Sequence, residues 1–396
     1  MTSSAVPTPR RRPPISAIRA AKARVVGDGR DVGAIDLTLG EPTWFAGASG
    51  LPTVARRALA SVRSAPYGLH VGDLDLRQAV ARFEGVAVDE VLITSGAQGG
   101  LFAAMSAYLA AGDLALVPDP GFPSYRTLAE LSGAEVTTYV LGDGFRLDPA
   151  AIETALDQDP RIRVVVLNHP GNPTGGGASI EALRRVAAAC ERHGVLLVSD
   201  EVYRELRIDS ARDPSAESIG LRQASRSGVV VGSIAKAWGA PGLRVGWLLG
   251  DPAVLEVCRA WHAWAVTSAA GPSQAAARAL VEASDEILPR ARDALRQRWQ
   301  AFVDGWRIES GSEPPAPDGG FYVWFRLPDD RDTASFCAEL VQVDGVAVVP
   351  GEAFGAAGQG WARLSFGGEP DAVREGGRRV ARALARTADA TRGVVA

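Results

Sequence analysis

The sequence predicts an α/β protein: a large domain built on a mostly parallel sheet of seven strands between helices, followed by a smaller α+β domain. Three observations carry this reading. Short β-rich runs alternate with Ala-rich helical patterns from about residue 50 to 250. Several runs are apolar from end to end, as strands covered on both faces must be. After about 275 the rhythm changes to a long helical stretch followed by aromatic, strand-like runs.

The runs are VLITS (91–95), LALVP (114–118), EVTTYV (135–140), RVVVLN (163–168), VLLVS (195–199), GVVVGS (228–233) and RVGWLL (244–249). Helix candidates lie between them, such as 98–110 and 179–193. Strands that alternate with helices pair in parallel, because the helix carries the chain back over the sheet. In the last third, a helical stretch over 273–308 precedes DGGFYVWFRL (318–327), GVAVVP (345–350) and WARLSF (361–366). A final helix spans about 370–387. The expected division is an N-terminal arm (1–35), a large domain (36–272) and a small domain (273–396).

Residues 1–24 of the arm are rich in Ser, Thr, Pro, Ala and Arg and contain RRRPP at 10–14. The following ISAIRAAKARVV is broken by charges, so it reads as a mobile arm and not as an export signal. Val25-Val26 followed by Gly27-Asp28-Gly29 mimics a dinucleotide loop, but no third glycine falls at the required spacing. The 396-residue chain is 46% hydrophobic and 22% charged, enough for a substantial core. Its net charge of -4 offers no basic face for nucleic acid. No segment approaches the roughly 20 apolar residues of a membrane span. The three cysteines, Cys190, Cys258 and Cys337, are scattered. They form neither a disulfide framework nor a metal motif, and a reduced, cytoplasmic setting is expected.

Positive charge is written almost entirely as arginine. The chain holds two lysines, Lys22 in the arm and Lys236 in GSIAKAWGAPGLRVGW (232–247). An amine can lose its proton and form a Schiff base with an aldehyde, which guanidinium cannot do. Lys236 also sits where chemistry is expected, since open α/β sheets bind ligands beyond the carboxyl ends of their strands. The other strand ends add to it. Ser95-Gly96-Ala97-Gln98 opens a helix and offers free N–H groups to an anion. Asp119-Pro120-Gly121-Phe122-Pro123-Ser124-Tyr125 offers aromatic rings. His169-Pro170-Gly171-Asn172-Pro173-Thr174-Gly175 offers an amide. Asp200-Glu201-Val202-Tyr203 offers an acid and a phenol, and Ser233 and Arg244 flank the lysine. An aldehyde cofactor such as pyridoxal 5'-phosphate would use this set, with the acid keeping a pyridine nitrogen protonated.

These motifs, in this order, resemble the class I/II aminotransferases, the aspartate-aminotransferase-like group of fold-type-I pyridoxal-phosphate enzymes, over about 36–390. The resemblance implies a catalytic set of Lys236, Asp200 and Tyr203. Lys236 would carry the cofactor as a Schiff base and shuttle the proton at the substrate's Cα. Asp200 would pair with the pyridinium nitrogen, and Asn172 and Tyr203 would hold the phenolic oxygen. Phe122 would stack on the ring. The amides of Gly96, Ala97 and Gln98, with Ser233 and Arg244, would hold the phosphate. Tyr67, in YGLHVGDLDLR (67–77), would reach the phosphate of a partner subunit, implying a homodimer with shared active sites. Arg363 would grip the α-carboxylate, with Gly40, Asn172 and Trp44 also bordering the substrate. No metal is implied.

The sequence departs from the family pattern in three places. Ala235 stands where Ser or Thr often precedes the lysine. Thr43-Trp44-Phe45 follows GEP, where Asp-Phe is common, and the 77–91 segment is short. These positions bear on substrate and outcome. Transamination of an α-amino acid with a keto acid is the expected reaction. The alternative is another pyridoxal-phosphate outcome: elimination or replacement at the β or γ carbon, decarboxylation, or oxidative deamination. Trp238, Trp261, Trp264, His70, His169 and His262 are further candidates for the pocket border, with core packing as the alternative for each.

Overall fold

The computed structural model describes residues 35–38, 40–45, 50–208, 219–328 and 332–394. The expected arm falls almost wholly outside them. Twelve strands are present among the described residues: β1 (Ile35–Asp36), β2 (Val91–Thr94), β3 (Leu114–Asp119), β4 (Glu135–Val140), β5 (Ile162–Asn168), β6 (Leu196–Asp200), β7 (Val229–Ser233), β8 (Gly246–Leu249), β9 (Tyr322–Arg326), β10 (Val346–Ala347), β11 (Val349–Pro350) and β12 (Trp361–Ser365).

Seven of these form one sheet in the order β2-β8-β7-β6-β5-β3-β4. The pairs β4–β3, β3–β5, β5–β6 and β6–β7 are parallel. The central strands β6 and β7 are buried at every position, which is why their sequences read as unbroken apolar runs. Edge strand β4 is less covered: Glu135, Thr138 and Val140 are exposed and only Tyr139 is buried. Strand β8 departs from the parallel rhythm, pairing antiparallel to both β7 and β2. The connection explains it: 234–245 contains only the short 3-10 turn Pro241–Leu243, with no crossover helix to return the chain for parallel pairing.

Helices cover the sheet, and their ends follow local chemistry. The helix Ile180–His193 is capped by Ser179 Oγ, which accepts from the Ala182 N–H at 3.1 Å. It stops at Gly194 in the left-handed conformation, with Arg192 and His193 in its last turn. The stretch expected as one helix over 273–308 is two, Gly271–Glu282 and Ser284–Ser310, broken at Ala283.

The C-terminal part packs helices Ser284–Ser310 and Pro370–Val394 beside an antiparallel sheet ordered β11-β12-β9. Strand β1 pairs in parallel with β10, and the Ser365 N–H donates to Leu37 O. The chain from Ile35 to Leu37 is therefore bound to strands of the C-terminal part. One apolar core is continuous through both parts, from Val165 and Leu197 in the large sheet to Phe302 and Phe366. No described helix is long and apolar enough to cross a membrane.

Candidate active site

The carboxyl ends of β5, β6 and β7 open onto a cavity of about 240 Å³. Asp200 is the last residue of β6. Its Cα is paired with Asn168 on one side and Val231 on the other, so the sheet register fixes where the carboxylate stands. Asn168 Nδ2 donates to Asp200 O at 3.0 Å, pinning the backbone as well. The carboxylate is buried and accepts from Tyr125 Oη at 2.7 Å and from the Val202 N–H at 3.3 Å. Burial pushes its pKa up to about 6, while those two donors and the Lys236 amine pull the other way.

Lys236 lies three residues beyond β7, in a tight turn. The Ala235 N–H donates to Ser233 Oγ and Ser233 Oγ donates to Val245 O, both at 3.1 Å. The Gly239 N–H then returns to Lys236 O. Gly239 has φ +63, a conformation glycine enters without the Cβ penalty. The lysine Nζ donates to Gly40 O at 2.7 Å. It stands 5.6 Å from the Tyr203 ring centroid and 5.8 Å from that of Phe321.

An anion cradle forms at the other side of the cavity. The helix Gly96–Tyr108 begins after Ser95 without a side-chain cap, leaving its first amides for a ligand. Gly96 has φ +70, and a Cβ there would lie 2.5 Å from Arg244 Nη2, so the guanidinium and the helix start meet only because residue 96 is glycine. Arg244 is itself at φ +53 and donates to Pro241 O at 3.0 Å. Beneath the helix start, the Ser95 N–H donates to His262 Nε2 at 2.9 Å. His262 therefore has an unprotonated Nε2, in keeping with the fall in its pKa that burial causes.

Arg363 sits in the middle of β12, between Trp324 of β9 and Val349 of β11. Its guanidinium is buried. It lies 4.3 Å from the Tyr322 ring centroid and 4.9 Å from that of Phe354. Nη1 donates to Asn172 Oδ1 at 2.9 Å and Nη2 to Thr38 O at 2.8 Å, while Nε has no partner. A buried cation with no carboxylate among these contacts is primed for an acidic ligand, and burial lowers its pKa.

Most of the expected site residues converge. Gly40, Ala97, Gln98, Phe122 and Asn172 line the cavity. So do Asp200, Tyr203, Ser233, Lys236, Arg244 and Arg363. Gly96 lies directly behind, against Arg244. Two do not join them. Tyr67 is 93% exposed, beside a separate groove between the 58–75 and 271–282 segments. Trp44 is not on the cavity wall: its buried indole donates to Lys236 O at 2.7 Å, from behind the lysine turn.

The other candidates divide. Trp238 is core, donating to Ser284 Oγ and packing on Phe83 and Trp247. Trp261 and Trp264 are exposed, as is His70. His169 is buried below the site against Ser199 Oγ at 2.9 Å. Three contributors escaped the sequence reading. Tyr125 read only as one of the aromatic rings of the 119–125 turn, and it serves Asp200. Tyr322 faces both Arg363 and Tyr203, its Oη 3.2 Å from Tyr203 Oη. Thr38 contributes only its backbone oxygen, which no residue type announces. The FYVWF run held the one legible signal, a hydroxyl-bearing Tyr322 among otherwise hydrophobic residues.

The residues fit pyridoxal phosphate. A buried acid, an amine, an anion-binding helix start with an adjoining arginine, and a partly unpaired second arginine share one cavity. The sequence matches the family model described as aminotransferase class I and II over residues 32–380. A probable N-acetyl-LL-diaminopimelate aminotransferase of Bacillus subtilis (strain 168) is 32% identical over 352 residues, covering 86% of this chain and 87% of that protein. A valine–pyruvate aminotransferase of Mycobacterium tuberculosis is 33% identical over 369 residues, covering 87% and 90%. Among solved structures, a single mutant of Thermus thermophilus aspartate aminotransferase superposes with a TM-score of 0.82 at 30% identity, covering 94% of this chain and 97% of that one.

Proposed function

The chain belongs to the class I and II aminotransferases and is a pyridoxal-phosphate-dependent transferase of amino groups; from that premise we propose that Lys236 carries the cofactor and that a neutral α-amino acid is the donor. The observation that carries the proposal is the placement of the Lys236 amine and the Asp200 carboxylate in one cavity, with Arg363 beside them.

The cofactor, when bound, supplies the carbonyl that takes up the amino group and a ring that withdraws electrons from the substrate's Cα. The protein's part is to hold and to move protons. The Gly96–Gln98 amides, Ser233 and Arg244 would hold the phosphate. Phe122 would lie on the ring face. Asp200 would keep a proton on the ring nitrogen, and a buried carboxylate facing a cation is paired where an unpaired one is penalised. Tyr203, whose pKa burial raises well above the usual phenol value, would donate as a protonated hydroxyl to the phenolic oxygen. Asn172 accepts from Arg363 through its Oδ1, and its Nδ2 would donate to the same phenolic oxygen. Arg363 would take the substrate carboxylate on its free edge. Lys236, its amine free once the substrate's amine has replaced it on the cofactor, would take up the substrate's Cα proton and hand it on, acting as general base and then acid.

Three cations line the cavity, Lys236, Arg244 and Arg363, and each has a task in this scheme. Leu101, Phe122 and Tyr322 supply apolar and aromatic wall. Those features support a neutral side chain, closer to the donor named for the M. tuberculosis relative than to aspartate. We also propose a homodimer with shared sites, supported by the near-complete exposure of Tyr67. A reducing compartment such as the cytoplasm suits the three buried free thiols.

Borohydride reduction of the yellow protein followed by peptide mapping tests the assignment. The chain has one other lysine, so the result is unambiguous. Label on Lys236 is expected, and label on Lys22, or on neither, overturns it.

A further inference from the structure

Lys236 is held at both of its ends by one short segment. Its amine donates to Gly40 O at 2.7 Å, and its backbone oxygen accepts the Trp44 indole N–H, also at 2.7 Å. The same oxygen accepts the Gly239 N–H at 3.1 Å. A carbonyl has two lone pairs, and here both are used, which fixes the plane of the 236–237 peptide. The indole is in turn fixed. A Cβ on Gly239 would lie 3.5 Å from Trp44 Cδ1, so the ring packs directly on the lysine turn. Phe321 meets it edge-on at 5.6 Å.

Arg298 closes the arrangement from the other side. This buried guanidinium stands 5.3 Å from the Trp44 ring centroid. It donates to Thr43 O, immediately before the tryptophan, and to Gly368 O, three residues beyond β12. The segment that holds Lys236 is thereby tied to the strand that carries Arg363.

We infer that Trp44 is a positioning residue for Lys236: its indole N–H fixes the lysine backbone from which the amine swings between Gly40 O and the reacting carbon. This rests on Lys236 carrying the cofactor. It also gives the Thr43-Trp44-Phe45 departure from the family pattern a physical role, because a phenylalanine at 44 would fill the space and donate nothing. A lysine has four side-chain torsions. An unrestrained turn would spread its nitrogen over more than the tolerance that proton transfer allows. A tryptophan present only for packing would need no acceptor so placed, although a buried indole N–H usually finds one.

The test separates positioning from packing. Trp44→Phe keeps the ring and removes the donor. If it fails to fold, the isosteric replacement Trp44→3-benzothienylalanine removes the N–H at nearly constant volume. Three quantities are measured on each: the rate at which apoprotein attaches pyridoxal phosphate, the affinity for pyridoxine phosphate, which has no carbonyl, and the kcat and KM for an active amino acid. The expected result is attachment and kcat slowed by about 10-fold or more, with pyridoxine phosphate affinity and KM within about threefold of wild type. Attachment at the wild-type rate overturns the inference whatever the steady-state rate. A parallel loss of pyridoxine phosphate binding also overturns it, because it marks general damage to the cavity. Failure of the parent reading looks different: borohydride then leaves no label on Lys236 in the wild-type protein.

Discussion

The Tyr125 hydroxyl donates to Asp200 Oδ2 at 2.7 Å in a fully buried contact, and the carboxylate's other oxygen takes the Val202 N–H. Tyr125 thus stabilises the ionised form that a pyridinium partner needs. Tyr125→Phe is expected to raise the Asp200 pKa further. A hydrogen bond to a charged group is worth about 1.5–3 kcal/mol, so the rate should fall roughly tenfold or more and the acid limb of its pH profile should move upward. Steady-state rates from pH 5 to 9 check this. Asp200→Ala is more severe. It should still bind some cofactor while losing about 3 kcal/mol or more of transition-state stabilisation.

Asp200 also predicts a pH effect on the cofactor-free protein. Its pKa rises from 3.8 to about 6 on folding, chiefly through burial. The folded chain therefore binds this proton more tightly than the unfolded chain. Its contribution favours folding below about pH 4 and is lost as pH rises through about 6, by an amount on the order of 3 kcal/mol. Asp200→Asn should remove that part of the slope. Urea unfolding of the apoprotein between pH 4 and 7 should show the variant gaining on wild type as pH rises. A constant difference across that range would contradict the burial argument.

Gly96→Ala should damage the anion cradle selectively. The backbone conformation there costs a non-glycine residue roughly 1 kcal/mol, and the new Cβ would displace the Arg244 guanidinium. Affinity for pyridoxal phosphate should fall about 10- to 100-fold, with a smaller effect on KM for the amino acid. Fluorescence titration of the apoprotein measures the first quantity.

Arg363→Lys should act on substrate instead. The lysine keeps the charge but loses the planar group that packs against Tyr322 and Phe354 and the paired donors that reach Asn172 and Thr38. KM for the amino acid should rise by about 100-fold, with cofactor affinity nearly unchanged. A variant with wild-type KM would place the carboxylate elsewhere.

The parallel sheet was legible because its strands are buried on both faces and so write their burial as unbroken Val, Leu and Ile. The direction of β8 was not, since RVGWLL reads alike whichever way it runs, and only the short 234–245 connection decides it. Lys236, Asp200 and Asn172 stood out by residue type at or just beyond the end of a strand, whereas Arg363, inside β12, stood out only through the family resemblance. Tyr125, Tyr322 and Trp44 did not. An aromatic residue in an apolar run carries the same letter whether its polar atom meets an acid, an arginine or a backbone oxygen. Trp44 is the instructive case: its position near the site was readable, but the side of Lys236 on which it would stand was not.

The most direct test of the central claim is an absorbance titration of the purified protein with neutral and acidic amino acids, one at a time. A neutral amino acid should convert the yellow carbonyl form of the cofactor cleanly to the amine form, a keto acid should restore it, and Lys236→Ala should abolish the cycle. If the yellow form returns unaided while ammonia, carbon dioxide or peroxide accumulates, amino-group transfer is not what this site does.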